Sequence, residues 1–369
     1  MPVIVLGALA ALIVVALSAS SAWAEPATLC VKATKVGKKH TGGWTNAGCT
    51  AVSPTHEGKF EKLASFSGSE EQELKALLKY VKVQASGVGG KPTVQFSGAN
   101  IQVVNGAGKT ESTNGEGNLV IGYDENPGAY RSGKPGAQTG SHDLILGEEQ
   151  EFTSFGGIVA GRANTITGES ASVLGGERNT ANAGFATVSG GIFNVAEGSE
   201  SSVSGGSSNT ASGGESWIGG GERNSASVFT ASVSGGVANK AAFRYASVSG
   251  GFENTASGQL SSVSGGEKNT ASGEEAWIGG GFKNTASAKK ASISGGGENT
   301  ANFVEASVSG GFGNLASGED ASVSGGHENK ASGKEAWIGG GFKNSAPFSF
   351  SSIFGGKELK AKAEYEAIP

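Results

Sequence analysis

The sequence predicts an all-β parallel solenoid made of 15-residue coils, and three periodic features lead to that prediction. A Val or Ile recurs at every fifteenth position from Ile158 to Ile353. A Gly stands three positions after each of these, and an Asn stands six positions after the first thirteen of them, from Asn164 to Asn344. Such a fixed period is typical of proteins in which each repeat forms one coil stacked on the next. We therefore expect function to reside on a repeated surface.

Residues 1–24 have the features of a secretory signal peptide. An apolar run extends from Val3 to Leu17, and Ala22-Trp23-Ala24 has the pattern of a cleavage site. We expect a secreted or cell-surface protein whose mature chain begins near Glu25. A membrane-anchoring helix is the alternative, because no Lys or Arg precedes the apolar run. No later segment is apolar enough to span a bilayer, so no transmembrane segment is expected in the mature chain.

Residues 25–65 are predicted to form a small module that carries the two cysteines of the chain, Cys30 and Cys49. Both lie in the exported part of the sequence, before the repeats begin. In an oxidising compartment we expect a disulfide bridge between them, since a module with little core of its own needs such a link.

Residues 66–90 are predicted to contain a short helix and a linker. Ser69 and Gln72 have the spacing of a capping box, and four apolar residues follow at helical intervals. These residues are Leu74, Leu77, Leu78 and Val81. So short a helix is not stable alone in water, and its apolar stripe must pack on something. The stripe packs either on its own chain or on the same helix in neighbouring copies, as a brief coiled-coil stalk; we favour the stalk.

Residues 91–157 are predicted to cap the first end of the solenoid. Asn118–Gly122 and Asp143–Gly147 have the pattern of solenoid strands with lengthened connections, and the insertion Pro127–Pro135 is expected to form a surface loop. A solenoid needs such an atypical terminal repeat to cover its open core. Beyond the regular repeats of residues 158–356, residues 357–369 are expected to form a charged tail.

The coil from Ala246 to Leu260 illustrates the regular repeat, with two short strands and two turns. Val248 in the first strand and Ala256 in the second are predicted to point inward, since side chains alternate along a strand. Gly250-Gly251 and Gly258 stand at turns, where a positive φ is cheap for Gly. Asn254 suits a turn as well, either by adopting a left-handed conformation or by stacking its amide on the next coil.

An interior of one branched residue and one methyl group per coil is thin. At about 25 cal/mol per Å², its burial barely offsets the entropy lost on ordering one coil. Two solutions remain open on the sequence. Continuous hydrogen-bonded stacking suffices, or the outward Ser side chains pack against the same surface of sister chains.

A longer period, four coils in length, relates the aromatic residues. Three Trp residues are spaced in this way and replace a Ser of the outward face, and two pairs of Phe residues in the turns keep the same spacing. The Trp side chains are either buried at a subunit contact or exposed for binding. The candidate surface-binding residues are Trp217, Trp277, Trp337, Phe252, Phe282, Phe312 and Phe342.

The repeat unit resembles a known family. Asn269-Thr-Ala-Ser-Gly273, paired with Ser262-Val-Ser-Gly265, is similar to the head repeats of the YadA-type trimeric autotransporter adhesins, and the similarity covers about residues 115–356. The resemblance implies a homotrimer of left-handed parallel β-rolls that is exposed at the cell surface and binds matrix or other surfaces. The present repeat is one residue longer than is usual in that family. No strands of a membrane-anchor barrel follow the repeats, so outer-membrane anchoring is not expected.

Catalysis, metal binding and nucleic-acid binding are not expected. The four His residues, His40, His56, His142 and His327, do not recur with the period, and no spacing supplies partners for a triad or a zinc site. The Gly-Gly pairs match neither a phosphate loop nor a calcium β-roll, so no cofactor is expected. The net charge is −5 and the repeats mix Glu with Lys, which gives no basic stripe for nucleic acid.

The expected function is that of a secreted, non-enzymatic adhesin or fibre-like protein. Its ligand, whether a matrix, carbohydrate or protein surface, is not identified by the sequence. A structural spacer or coat component is one alternative, and the helix-before-repeat order also suits a trimeric fibre. Ice binding is another alternative, because Thr255, Thr270, Thr285 and Thr300 align. Bulky or charged residues interrupt that row at Val195, Lys240, Leu315 and Lys330.

Overall fold

The structure is a computed structural model that describes residues 28–32, 60–65, 68–123, 125 and 136–369. The chain divides into two compact units, residues 1–101 and residues 102–369. The predicted signal peptide, Cys49 with its expected disulfide to Cys30, and the insertion Pro127–Pro135 lie outside the described residues.

The described part of the first unit contains two antiparallel strand pairs and one α-helix. Strand β1 pairs with β2, and β3 pairs with β4 across a short 3-10 turn. The bounds are β1 Thr28–Lys32, β2 Phe60–Ser65, α1 Gly68–Leu78, β3 Val81–Gln84, the 3-10 turn Val88–Gly90 and β4 Thr93–Phe96. The predicted helix is confirmed over Gly68–Leu78, but Ser69, its expected cap, lies inside it, and Val81 of the expected stripe lies in β3. Within the described residues, Leu74 and Leu78 are only half-buried and Leu77 is exposed, so the apolar stripe of α1 is incompletely covered in the single chain.

The second unit is a solenoid with two parallel sheets, which confirms the predicted fold class. Over its described residues the first sheet has 17 strands and the second has 14. The first sheet consists of β5 Leu119–Ile121, β6 Leu144–Glu148, β8 Ile158–Arg162, β10 Ser172–Val173, β12 Thr187–Val188, β14 Ser202–Val203, β16 Trp217–Ile218, β18 Ser232–Val233, β20 Ser247–Val248, β22 Ser262–Val263, β24 Trp277–Ile278, β26 Ser292–Ile293, β28 Ser307–Val308, β30 Ser322–Val323, β32 Trp337–Ile338, β34 Ser352–Ile353 and β35 Ala367–Ile368. The second sheet consists of β7 Glu151–Phe152, β9 Thr165–Ile166, β11 Thr180–Ala181, β13 Val195–Ala196, β15 Thr210–Ala211, β17 Ser225–Ala226, β19 Lys240–Ala241, β21 Thr255–Ala256, β23 Thr270–Ala271, β25 Thr285–Ala286, β27 Thr300–Ala301, β29 Leu315–Ala316, β31 Lys330–Ala331 and β33 Ser345–Ala346.

Each regular coil pairs with the next in the register that the sequence period predicts. Val248 pairs with Val263 in the first sheet, and Ala256 pairs with Ala271 in the second. A third row of single bridges, one per coil, joins the residues that follow the Gly-Gly pairs, as between Phe252 and Glu267. Every regular coil is thus hydrogen-bonded to its neighbours along three lines. The left-handed winding implied by the resemblance stays a prediction.

The interior contains four aligned rows of side chains rather than the two that were predicted. Val248 and Ala256 are buried as expected. The first residue of the coil, Ala246, and the turn residue Asn254 are fully buried as well. These four positions are closed from solvent in the single chain, so the core of the solenoid needs no second chain to cover it.

The buried Asn row links three successive backbone segments. The Asn254 Nδ2 group donates to the carbonyl of Gly250 in its own coil at 2.9 Å and to that of Gly266 in the next coil at 2.8 Å. Its Oδ1 accepts the backbone N–H of Asn269 at 3.0 Å. The stacked-amide alternative is therefore confirmed. The left-handed residue of this turn is Glu253, with φ 54°, and not Asn254.

The two Gly positions of the coil serve different purposes. Gly251 has φ 92°, and a Cβ added there would lie 2.2 Å from the carbonyl oxygen of Gly266. Only Gly fits this left-handed close approach. The expectation of a positive φ at Gly250 and Gly258 is wrong, since neither has one. A Cβ at Gly258 would lie 1.9 Å from the Gly273 carbonyl oxygen, so that Gly serves close packing.

Both ends of the solenoid modify the repeat. At the first end, Ile145 pairs with Val159, which is one position short of the regular register. Val159 is therefore the buried residue, and the prediction that Ile158 points inward is wrong by one position. At the last end, residues 357–369 are not a free tail, because Ala361 is buried and Ala367–Ile368 pairs with Ser352–Ile353. They form a further, charged coil that closes this end.

Candidate functional site

The outer side of the first sheet forms a surface that we call the Ser–Trp face. It consists of the residues immediately before and after each inward Val or Ile of the regular coils, from Ser172 to Phe354. Its members before the inward residue are Ser172, Thr187, Ser202, Trp217, Ser232, Ser247, Ser262, Trp277, Ser292, Ser307, Ser322, Trp337 and Ser352. Its members after the inward residue are Leu174, Ser189, Ser204, Gly219, Ser234, Ser249, Ser264, Gly279, Ser294, Ser309, Ser324, Gly339 and Phe354. None of these side chains is charged.

Each Trp of this face is accommodated by a Gly two positions later in the same coil. A Cβ added to Gly219 would lie 3.0 Å from Cη2 of Trp217, and the corresponding distance is 2.9 Å at Gly279 and at Gly339. The other coils carry a larger residue, mostly Ser, at this position. The indole therefore lies back along its own coil over the Gly, a position that a larger side chain would obstruct.

Hydrogen bonds hold two of the indoles to the preceding coil. Trp217 Nε1 donates to Ser204 Oγ at 3.3 Å, and Trp337 Nε1 donates to Ser324 Oγ at 3.1 Å. Trp337 also packs edge-on against Phe354, with ring centroids 5.2 Å apart. Trp217 and Trp277 are each 41% exposed in the single chain. Trp337 is half-buried. The side chains of Trp217 and Trp277 therefore remain open to a ligand.

The candidate Phe residues lie in the third row of bridges, which we call the bridge edge. Phe252, Phe282 and Phe312 are exposed, and Phe342 is half-buried. His327 is stacked between Phe312 and Phe342, with centroid distances of 5.5 and 5.3 Å.

Lysines accompany several of these rings. Lys283 Nζ lies 4.8 Å from the centroid of Phe282, and Lys343 Nζ lies 5.1 Å from that of Phe342. Such contacts place a cation over the face of each ring. The bridge edge is therefore an aromatic and charged surface, whereas the Ser–Trp face is aromatic and neutral.

A further aromatic cluster was not predicted from the sequence. Phe229, Phe243, Tyr245 and Leu260 are exposed in the turns that follow the second strand. Phe229 and Tyr245 pack edge-to-face at 6.3 Å, and Arg244 lies 5.9 Å from the Phe229 centroid. The sequence signal for this cluster is weak because Phe229, Tyr245 and Leu260 change type from coil to coil, and only Phe243 recurs four coils later, as Phe303.

The row of Thr residues considered for ice binding is short. Thr255, Thr270, Thr285 and Thr300 pair in register on the second sheet. Lys240 and Leu315 pair with the two ends of the row. The uninterrupted hydroxyl array thus spans four coils.

One buried carboxyl lies outside these surfaces, in the first coils of the solenoid. Asp143 is almost wholly buried, its Oδ1 accepts the Gly157 N–H at 2.7 Å, and its Oδ2 has no hydrogen-bond partner. Burial raises the pKa of the Asp143 carboxyl from 3.8 to about 6, while the Gly157 N–H and the nearby His142 act in the lowering direction.

The described residues contain neither a cluster of metal ligands nor a membrane-spanning helix. No group of three or more His, Cys, Asp or Glu side chains is arranged to hold a metal ion in the part of the chain that the structure covers. Among those same residues, no helix has the length and apolar character needed to cross a membrane. Comparison with protein-family models and with curated proteins gives no match to this chain.

Proposed function

We propose that the protein is a secreted or surface-exposed, non-enzymatic adhesin or fibre-like protein that contacts surfaces or macromolecules through its repeated aromatic side chains. The observation that carries the proposal is the regular placement of exposed aromatic residues on hydrogen-bonded coils. With coils about 4.8 Å apart, the Trp residues are spaced by about 19 Å and the bridge-edge Phe residues by about 10 Å.

Regular spacing makes weak contacts additive. A single exposed aromatic side chain contributes little to the affinity for a surface. When one contact has formed, the next is held close to its own binding position, so the effective concentration for the second contact is high. The three hydrogen-bonded lines along the solenoid support this arrangement, because they hold the coils at fixed intervals.

The homotrimer that the resemblance to the YadA-type heads implies is part of this proposal. A thin core does not by itself require a trimer, because the four interior rows are closed from solvent within a single chain. Helix α1 offers a different reason, since its stripe of Leu74, Leu77 and Leu78 is only partly covered. Three such helices packed as a coiled coil would bury that stripe.

A binding assay tests the proposal. The mature chain from Glu25 is applied to polystyrene, glass, collagen-coated and fibronectin-coated surfaces. We expect retention on at least one surface, and we expect replacement of the seven candidate Trp and Phe residues by Ser to reduce the retained amount at least tenfold. A control variant with Thr255, Thr270, Thr285 and Thr300 replaced by Ser should bind normally. Absence of binding to every surface would leave the structural spacer as the better explanation.

The oligomeric state needs its own measurement. Light scattering after size exclusion is expected to give the mass of three chains for the mature protein. The substitution Leu77→Glu places a charge on the stripe of α1 and should return the mass to one chain. A single-chain mass for the unaltered protein would contradict the trimer and leave the binding proposal to stand on the solenoid surface alone.

A further inference from the structure

We infer that the Ser–Trp face binds a neutral polysaccharide laid along the stacked coils. This inference rests on the proposed adhesive function and gives it a ligand class and a specific surface. It separates the roles of the two aromatic surfaces, because it assigns the ligand to Trp217, Trp277 and Trp337 and not to the bridge-edge Phe residues.

The first argument is the absence of charge. No Asp, Glu, Lys or Arg occurs on the Ser–Trp face, although 17% of the residues in the chain are charged. The outer side of the second sheet, by contrast, carries exposed Lys240 and Lys330. Moving a charge out of water without a partner is costly. A surface of hydroxyl and indole groups avoids this cost and suits a ligand that is itself neutral and rich in hydroxyl groups.

The second argument is the chemistry of the side chains. An indole presents a flat apolar surface that packs against the C–H groups of a sugar ring, and Trp combines that surface with a polar N–H. Ser hydroxyls both donate and accept hydrogen bonds, as sugar hydroxyls do. Some of the Ser residues already bond to each other between coils, as Ser247 Oγ does to Ser262 Oγ at 3.1 Å. The remaining donor and acceptor capacity of these hydroxyls faces outward.

The third argument is the fixed position of the indoles. Trp217 lies over Gly219 and donates to Ser204, so its side chain has little freedom left to lose when a ligand binds. A pre-arranged side chain costs less entropy on binding than a mobile one. The same Trp-Ile-Gly-Gly-Gly sequence recurs at Trp277 and Trp337, and the indole lies over the Gly at all three positions. The indole hydrogen bond to the preceding coil is formed at Trp217 and Trp337.

The spacing favours a polymer over a small sugar. Consecutive Trp residues are four coils apart, or about 19 Å, and rows of Ser hydroxyls fill the intervening coils. A ligand that contacts two or three indoles at once must be long and repetitive. Such a ligand gains affinity from each additional contact without any single contact being strong.

A second copy of this chain is the competing occupant of the face. The face is about 60 Å long and about 10 Å wide, which gives roughly 600 Å² per chain. Stable interfaces bury about 600–1,000 Å² per partner, so this face alone would reach only the lower limit of a stable contact. The closed single-chain core also removes the requirement that another chain cover this side.

Sedimentation with insoluble polysaccharides tests the inference. The mature chain is mixed with microcrystalline cellulose, chitin and curdlan particles, and the bound fraction is measured at 0.15 M and 1 M NaCl. We expect binding to at least one of them with little change between the two salt concentrations, since neither partner contributes charge. The triple variant W217S/W277S/W337S should bind at least tenfold more weakly. Ser is the residue that other coils carry at this position, so the variant is expected to fold.

Two matched variants sharpen the result. F252S/F282S/F312S alters the same number of aromatic residues on the bridge edge and should bind the particles within twofold of the unaltered chain. G219S/G279S/G339S retains every Trp but fills the space in which the indoles lie, so it should lose binding at least fivefold.

The outcomes separate this inference from the proposed function. Binding to none of the three particles, or binding that survives the loss of all three Trp residues, would overturn the inference. In that case, retention on protein-coated surfaces through the bridge edge would still support the adhesive role. A change from three chains to one in W217S/W277S/W337S would also overturn it, because the face would then be a subunit contact.

Discussion

Replacement of one buried Asn should destabilise the solenoid far more than its small side chain suggests. The substitution Asn269→Ala removes a side-chain amide whose Oδ1 accepts the backbone N–H of Asn284 at 2.9 Å. It also donates to the carbonyls of Gly265 and Gly281, at 3.0 and 2.9 Å. The Gly281 carbonyl keeps a second donor, the backbone N–H of Glu267. The Asn284 N–H and the Gly265 carbonyl lose the partners that Asn269 supplies.

The magnitude follows from these lost partners. A buried polar group without a partner costs about 1–3 kcal/mol, so two of them cost about 4 kcal/mol in total. That is a large share of the roughly 5–15 kcal/mol that stabilises a typical domain. Urea unfolding followed by far-ultraviolet circular dichroism measures the difference. Ser272→Ala is the matched control, because Ser272 lies on the outer side of the second sheet and should change stability by less than about 0.5 kcal/mol.

A small effect would refute the reasoning. If Asn269→Ala lowers the free energy of unfolding by less than about 1 kcal/mol, the Asn row does not hold successive coils together, or water replaces the amide at no cost. The same substitution near the end of the row, Asn344→Ala, should have a smaller effect on the whole solenoid. Terminal coils open locally at lower free energy than central ones do.

Three further predictions concern backbone geometry and pH. Folding raises the pKa of the Asp143 carboxyl from 3.8 to about 6, so the folded chain holds this proton more tightly than the unfolded chain does. The resulting stabilisation is complete below pH 3.8 and is lost as the pH rises through 6. The loss amounts to about 3 kcal/mol by pH 7, and amide exchange in residues 118–160 should show it in the unaltered chain but not in Asp143→Asn. Gly251→Ala should lower stability in urea by at least about 2 kcal/mol, because the residue has a positive φ and closely approaches the next coil. Gly250→Ala, which adds a Cβ into open space, should be nearly neutral. Gly313→Ala should lower the free energy of unfolding by about 1 kcal/mol, because Gly313 has φ 67°. The cost is no larger because other coils have a non-Gly residue with a positive φ at this position, such as Glu253.

The repeat itself was predictable because period and packing depend on the same residues. Val248 and Ala256 are inward as the strand alternation requires. The same alternation places Ala246 inward as well, and the restriction of this position to Ala or Ser in the regular coils is a sequence signal for burial. Residue type alone could not predict which side chain of the first regular coil points inward, because Ile158 and Val159 are both β-branched. The shortened register at that end, in which Ile145 pairs with Val159, decides between them.

The candidate binding surfaces were predictable only where they are periodic. The Trp residues stand out because they recur at every fourth coil, and the bridge-edge Phe residues because they recur at every second coil. The sequence shows that Gly219 stands where most other coils have Ser. The reason for this Gly becomes clear only from the structure, in which the Trp217 indole lies over it. Phe229 and Tyr245 contact each other across neighbouring coils, and neither recurs with the period. Contacts between unlike residues in adjacent coils require the stacking register, which the structure supplies.

The four-coil period has a consequence for how this protein can change. Each regular coil is hydrogen-bonded to the coils before and after it, so a block of four coils can be gained or lost with its junctions unchanged. Every such event adds or removes one complete indole position with its own Gly. The number of indole positions therefore changes in whole steps through duplication. Point substitutions in the turns can meanwhile alter the exposed side chains without altering the number of coils.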